Sequence, residues 1–147
     1  MDLFFNGNAP QSLFEKKKVV TELKPEHFVR NGDGVCCLSG EFSKKNGLVT
    51  FYAHWCGHCV NFVPIYEKFA SLVRSVDKND RLVIGAFDCA NESPNYKQIA
   101  NAIGIEGYPT IKFIKNGKIT DTYEGERTVA KLLKELCDKL EVCIAEH

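Results

Sequence analysis

The run Gly47-Leu48-Val49-Thr50-Phe51-Tyr52-Ala53 is short, apolar and rich in β-formers, and it gives way at once to a stretch with helical spacing. In that stretch Phe62, Ile65, Tyr66, Phe69, Leu72 and Val73 fall on one stripe, with Pro64 inside it and expected to kink it. The junction is Trp55-Cys56-Gly57-His58-Cys59. A buried strand feeding a helix this abruptly sets Cys56 at the helix N-terminus, where unsatisfied N–H groups and the macrodipole favour an anion. The thiolate is the reactive form of cysteine, so this position lowers the cost of making it. Cys59 lies three residues on, hence on the same helix face and within reach of a mixed disulfide formed at Cys56. His58 adds a group able to carry positive charge beside the thiolate.

The remaining elements alternate. Val19–Leu23 reads as a first strand and Pro25-Glu26-His27-Phe28 as a helix start, with proline in the first turn. Residues 31–46 show no clear period and read as a loop. Arg81–Phe87 is the next strand, and Asn95–Ala102 a short helix. Thr110–Ile114 and Lys118–Tyr123 form a hairpin through the turn signal Asn116-Gly117. Val129, Leu132, Leu133, Leu136 and Leu140 make one stripe of a last helix. The order β-α-β-α-β-α-β-β-α implies an α/β domain whose central mixed sheet is flanked by helices.

A chain of 147 residues with 44% hydrophobic residues suits one domain with one core. Acids and bases balance at 19 each, so no global field recruits nucleic acid or anionic membrane. The basic run Lys16-Lys17-Lys18 reads as a solvated segment. The expected organisation is a leader over residues 1–17, a domain over 18–141 and a tail over 142–147. Within the leader Phe4, Phe5, Leu13 and Phe14 either strap onto the core or belong to a mobile terminus. Asp2 and the brief Leu3-Phe4-Phe5 run do not read as a signal peptide, and Ala145-Glu146-His147 is not a retention signal. These termini lead to the expectation of a cytosolic protein, with the endoplasmic reticulum or another oxidising compartment as the alternative. The sequon Asn91-Glu92-Ser93 is a poor glycan acceptor because Pro94 follows it.

Seven cysteines leave at least one unpaired within the chain. Cys89 reads as a buried thiol at a strand end, Cys137 as another on the last helix, and Cys143 as an exposed tail residue. Cys36 and Cys37 are adjacent, a spacing that strains a bridge, so two free thiols are expected. A zinc pair is the rival reading of Cys56 and Cys59. Zinc needs four ligands, and the chain has neither a second Cys-x-x-Cys nor a paired-histidine motif, so no metal and no cofactor is expected.

Phe51-Tyr52-Ala53-His54-Trp55-Cys56-Gly57-His58-Cys59 with Pro64 resembles a catalytic domain of protein disulfide isomerase, a branch of the thioredoxin fold. Phe87-Asp88-Cys89, Gly107-Tyr108-Pro109-Thr110 and Tyr123-Glu124-Gly125-Glu126-Arg127 resemble, in order, that family's strand end, cis-proline loop and mobile-arginine stretch. The resemblance covers residues 18–140. It implies thiol–disulfide exchange with Cys56 as nucleophile, Cys59 as resolving thiol, and His58 and Arg127 in support. A client-binding adaptor of the same fold, with little turnover, is the alternative. Trp55, Tyr108 and Pro109 are implied to meet the client, Tyr108 through its backbone and Trp55 as a partly exposed aromatic, against the reading of Trp55 as core filler. The implied partners are protein thiol or disulfide clients and glutathione or a thioredoxin-type redox partner. A histidine between the cysteines goes with oxidants or isomerases, whose potentials lie ~90 mV above those of thioredoxin-type reductases. Two departures stand out. Thr50 occupies the position of the family's buried acid, and His54 that of a usual proline, where it either acts beside the thiols or is merely solvated.

Overall fold

The computed structural model describes residues 12–14 and 17–145; Phe4, Phe5, Lys16, Glu146 and His147 lie outside them. In chain order the elements are β1 (Thr21–Glu22), β2 (Phe28–Asn31), β3 (Gly34–Leu38), β4 (Asn46–Tyr52), α1 (Gly57–Val76), β5 (Leu82–Asp88), α2 (Pro94–Ile103), β6 (Thr110–Lys115), β7 (Lys118–Thr122) and α3 (Val129–Leu140). The strands form one mixed sheet in the order β1-β5-β4-β6-β7-β3-β2. Strands β1, β5 and β4 run parallel, and β6, β7, β3 and β2 follow antiparallel.

Strand β4 sits in the middle and is buried on both faces, which is why its sequence is continuously apolar. Alternation sends Leu48 and Tyr52 to the face covered by Phe62, Tyr66 and Phe69 of α1 and Leu132 and Leu136 of α3. Val49 and Phe51 go to the other face, with Val83, Phe87 and Ile99 of α2. Burying each such large side chain contributes about 1.5–3 kcal/mol. Pro64 lies inside α1, which runs unbroken from Gly57 to Val76. None of the helices among the described residues is long and apolar enough to cross a membrane.

Three expectations are corrected. Pro25–His27 close only a single 3-10 turn, and the chain then extends into β2 instead of a helix. Residues 31–46 are not a loop: they include β3, which pairs with β2 and joins the sheet beside β7, and a 3-10 turn at Gly40–Phe42. Phe28, Leu38 and Phe42 bury their side chains and fix this added hairpin to the core. Four cysteines outside the dithiol are also not as expected. Cys36 is bonded to Cys37, and Cys137 to Cys143, leaving Cys56, Cys59 and Cys89 free. At the end of α3, Glu141 takes a left-handed conformation (φ 61°) that turns the chain back so that Cys143 meets Cys137.

Phe14 is 1% exposed and packs edge-on against Tyr52 and Tyr66, with ring centroids 5.3 and 5.7 Å away. In the β6–β7 hairpin, Asn116 and Gly117 both have positive φ (51° and 79°), the turn their sequence announces. A Cβ on Gly117 would stand 2.1 Å from the carbonyl oxygen of Ser43, so this turn is pressed against the end of the added segment.

Candidate active site

The strand-to-helix junction is closed by backbone bonds. Cys56 N–H donates to Ala53 O (3.0 Å), and Cys56 O accepts from Cys59 N (3.1 Å) and Val60 N (3.0 Å), opening α1 with Cys56 at its N-cap. Cys56 is half-exposed and Cys59 is 2% exposed. The backbone N–H of Cys59 holds the Cys56 thiol below its ordinary pKa, helped by the N–H of His58, the Cys59 thiol and the charge of Arg127 and opposed by burial. Burial pushes Cys59 up to about 11, against the N–H of Ala53, and the neighbouring Cys56 adds to the rise. Arg127, exposed on the segment before α3, favours both thiolates. The pair is thus split into one acidic, accessible thiol and one reluctant, buried thiol.

The expected surroundings assemble around Cys56. The Tyr108–Pro109 bond is cis, and Cys56 Sγ donates to Tyr108 O at 3.9 Å. Trp55 is 67% exposed, so it is not core filler, and its ring stands edge-on to Tyr108 with centroids 5.9 Å apart. Trp55, Tyr108, Cys89, Pro94 and Lys97 line a cleft of about 400 Å³ running from Trp55 towards the start of α2. Cys89 is buried, as expected, and burial pushes its thiol up to about 12. His58 is exposed, and it is its backbone N–H that serves the Cys56 sulfur.

The two departures have distinct outcomes. Thr50 is fully buried on the same sheet face as Leu48 and Tyr52, the face that Cys59 packs against, and its hydroxyl oxygen has no hydrogen-bond partner among the described residues. His54 is anchored rather than free in solvent: its Nδ1 stands 2.8 Å from Asp88 Oδ2. Asp88 is 7% exposed and its Oδ1 also accepts from the N–H groups of His54 (3.3 Å) and Ala90 (3.0 Å). Sequence reasoning takes Phe87-Asp88-Cys89 only as a strand end; the overlooked signal is a carboxylate closing an otherwise apolar strand. Among the described residues no cluster of His, Cys, Asp and Glu is disposed to hold a metal.

This architecture, a dithiol opening a helix beside a cis-proline loop on a mixed sheet, is matched by the thioredoxin family model over residues 38–138; the chain belongs to the thioredoxin family. Its similar relatives are disulfide isomerases. Protein disulfide isomerase-like 2-2 of Oryza sativa subsp. japonica is 40% identical over 96 residues, covering 65% of this chain and 24% of that protein. Protein disulfide-isomerase A4 of Homo sapiens is 38% identical over 93 residues, covering 63% and 13%. Among solved structures the Trx4 domain of ERdj5 superposes with a TM-score of 0.62 at 25% identity, over 84% of this chain and 96% of that one. Human ERp44 reaches 0.68 at 24% identity over 89% and 32%, a likeness of fold. The chain spans about a quarter or less of the length of the curated relatives named here.

Proposed function

We propose that this domain is a thiol–disulfide oxidoreductase of the disulfide-isomerase type. The observation that carries the reading is the split dithiol: an acidified Cys56 at the mouth of α1, facing the Tyr108 carbonyl, with Cys59 one turn behind it in the core. In the reducing direction the Cys56 thiolate attacks one sulfur of a client disulfide. The client's other sulfur leaves and takes a proton. Cys59 then loses its proton and attacks Cys56 Sγ, so the client departs with two thiols and the site is left as the Cys56–Cys59 disulfide. Oxidation of a client dithiol runs these steps backwards. Trp55 and Tyr108 offer an apolar edge and a backbone carbonyl to an extended client segment beside the nucleophile, with Pro109 shaping that loop. His58 and Arg127 are assigned supporting roles, His58 by its N–H on Cys56 and Arg127 by its charge on both thiolates.

The proposed partners are protein thiols and disulfides, with glutathione or a thioredoxin-type protein resetting the site. Insulin-type turnover coupled to glutathione tests the assignment. Wild type should turn over, and Cys56→Ser should abolish it; activity retained in Cys56→Ser with Cys59 intact would refute the roles. The adaptor reading draws support from the high pKa of Cys59 and the threonine at position 50, both of which slow release. If the protein is an adaptor, wild type itself accumulates client mixed disulfides without net turnover.

The cytosolic expectation is replaced by an oxidising compartment, for which we propose the endoplasmic reticulum. Disulfides beyond the dithiol, Cys36–Cys37 and Cys137–Cys143, persist in such compartments. The similar structures, ERdj5 and ERp44, carry that organelle in their names. Fractionation of native cells, with thiol trapping of Cys137 and Cys143, tests it; both residues free and the protein in the cytosol would overturn it.

A further inference from the structure

The added hairpin holds a feature that the dithiol chemistry does not use. Along a regular strand, neighbouring side chains point to opposite faces, so adjacent residues of β3 are not placed to bond. Cys36 and Cys37 nevertheless form a disulfide inside β3. The pairing with β2 shows how. Phe28 faces Leu38 and Val29 faces Cys37, but Arg30 faces Val35, so Cys36 has no opposite number. Cys36 is the extra residue of a β-bulge, and a bulge re-aims side chains out of strict alternation. Bulge and bridge therefore coincide at Cys36.

The site is open to reagents and separate from the dithiol. Cys36 and Cys37 are both half-exposed. Cys37 pairs with Lys118, just after the β6–β7 turn, and Ile114, just before that turn, pairs with Gly47 at the start of β4. Cys56 follows the other end of β4. The strand from Gly47 to Tyr52 separates the two levels, roughly 17 Å at the rise of an extended chain. The bridge also sits where the hairpin is attached: Cys37–Lys118 and the bond from Leu38 N–H to Gly117 O (2.7 Å) tie β3 to β7.

We propose that Cys36–Cys37 is a second redox site, distinct from Cys56–Cys59, whose two-electron reduction by an external dithiol releases the bulge and re-registers the β2–β3 hairpin. A reductant thiolate attacks one sulfur of the pair, the Cys36–Cys37 bond breaks, and the freed cysteine takes a proton. The reductant's second thiol then attacks the reductant sulfur of the mixed disulfide and displaces the protein cysteine, which takes a proton. Cys36 and Cys37 end as two thiols and the reductant as its own disulfide, two electrons and two protons having passed. The distance to Cys56 means that the donor is another molecule, including the reduced dithiol of a second copy. Once reduced, nothing holds Cys36 out of the ladder, and Val35 and Gly34 are free to shift against Arg30 and Asn31.

The test uses the full chain and the double variant Cys56→Ser/Cys59→Ser, equilibrated across ratios of reduced to oxidised dithiothreitol, quenched with a maleimide and read peptide by peptide. In both chains Cys36 and Cys37 should gain label together, from none to both. They should do so at about tenfold less reduced dithiothreitol than Cys137 and Cys143, because bridges with Cα atoms closer than the usual range reduce more readily; here the Cα atoms are 3.7 Å apart. Buried Cys89 reports unfolding and should stay unlabelled. In the double variant the amide resonances of Arg30, Val35 and Lys118 should move on reduction. Label on Cys36 and Cys37 before any reductant overturns the proposal. So does label that appears only with Cys89 or no earlier than Cys137, and so do amide resonances that stay in place.

Discussion

Release of a client turns on Cys59, and its rate should carry the mark of its burial. The thiol stands at about 11 instead of 9.0, so at neutral pH about a hundredfold less of it is thiolate. A more basic thiolate is also a better nucleophile; with a Brønsted slope of about 0.4–0.5 this returns roughly six- to tenfold. The net expectation is resolution about ten- to sixteenfold slower at pH 7 than for a thiol of ordinary acidity. Thr50 supplies no base, so the thiolate must form by equilibrium, and log rate should climb by about one for each pH unit between 6 and 9. Thr50→Glu places a carboxylate on the face that Cys59 packs against and should flatten that climb while costing stability, since the new charge is buried. Arg127→Ala removes a charge favouring both thiolates; resolution should slow more than attack, because attack relies first on the Cys59 N–H. The assay is stopped-flow release of a fluorescent peptide held in mixed disulfide with Cys56, from pH 6 to 9. A wild-type rate independent of pH would show that a base is already in place. An Arg127→Ala rate equal to wild type would remove arginine from the step.

Other expectations concern the scaffold. Phe14→Ala should cost about 3–5 kcal/mol by denaturant melt, because a fully buried ring seated against two tyrosines is lost. Cys143→Ser opens a short loop at the end of α3 and should cost about 2 kcal/mol in the chain-entropy view, read as a shift of the urea midpoint. Gly117→Ala should destabilise by more than about 1 kcal/mol, since it meets both positive φ and the Ser43 backbone; urea midpoints read the change.

The elements legible in the sequence are those whose pattern follows from burial. β4 is buried on both faces and reads as an unbroken apolar run; α3 is buried on one stripe and shows it at Leu132, Leu133, Leu136 and Leu140. The dithiol and its loop are legible because helix-terminus chemistry needs few residues at fixed spacing. The added hairpin is not, since Val29, Arg30 and Asn31 are exposed and the bulge at Cys36 breaks the period. Both disulfides escape for a related reason. Their partners are brought together by a bulge and by a left-handed residue at Glu141, backbone events that composition does not announce. The His54–Asp88 contact spans 34 positions and depends on the parallel register of β4 and β5.

The match to the thioredoxin family begins at residue 38, yet Phe14, Val20, Leu23 and Phe28 are all buried ahead of it. The stretch matched by the family model is therefore narrower than the packed unit. A chain cut at the family boundary would keep every residue of the dithiol and the cis-proline loop but would forfeit β1, β2 and all of β3 except Leu38. It would also expose Tyr52, directly upstream of the turn that presents Cys56. Such a fragment would be expected to melt early and to lose its acidic cysteine without a single active-site substitution, as the helix start that acidifies it frays.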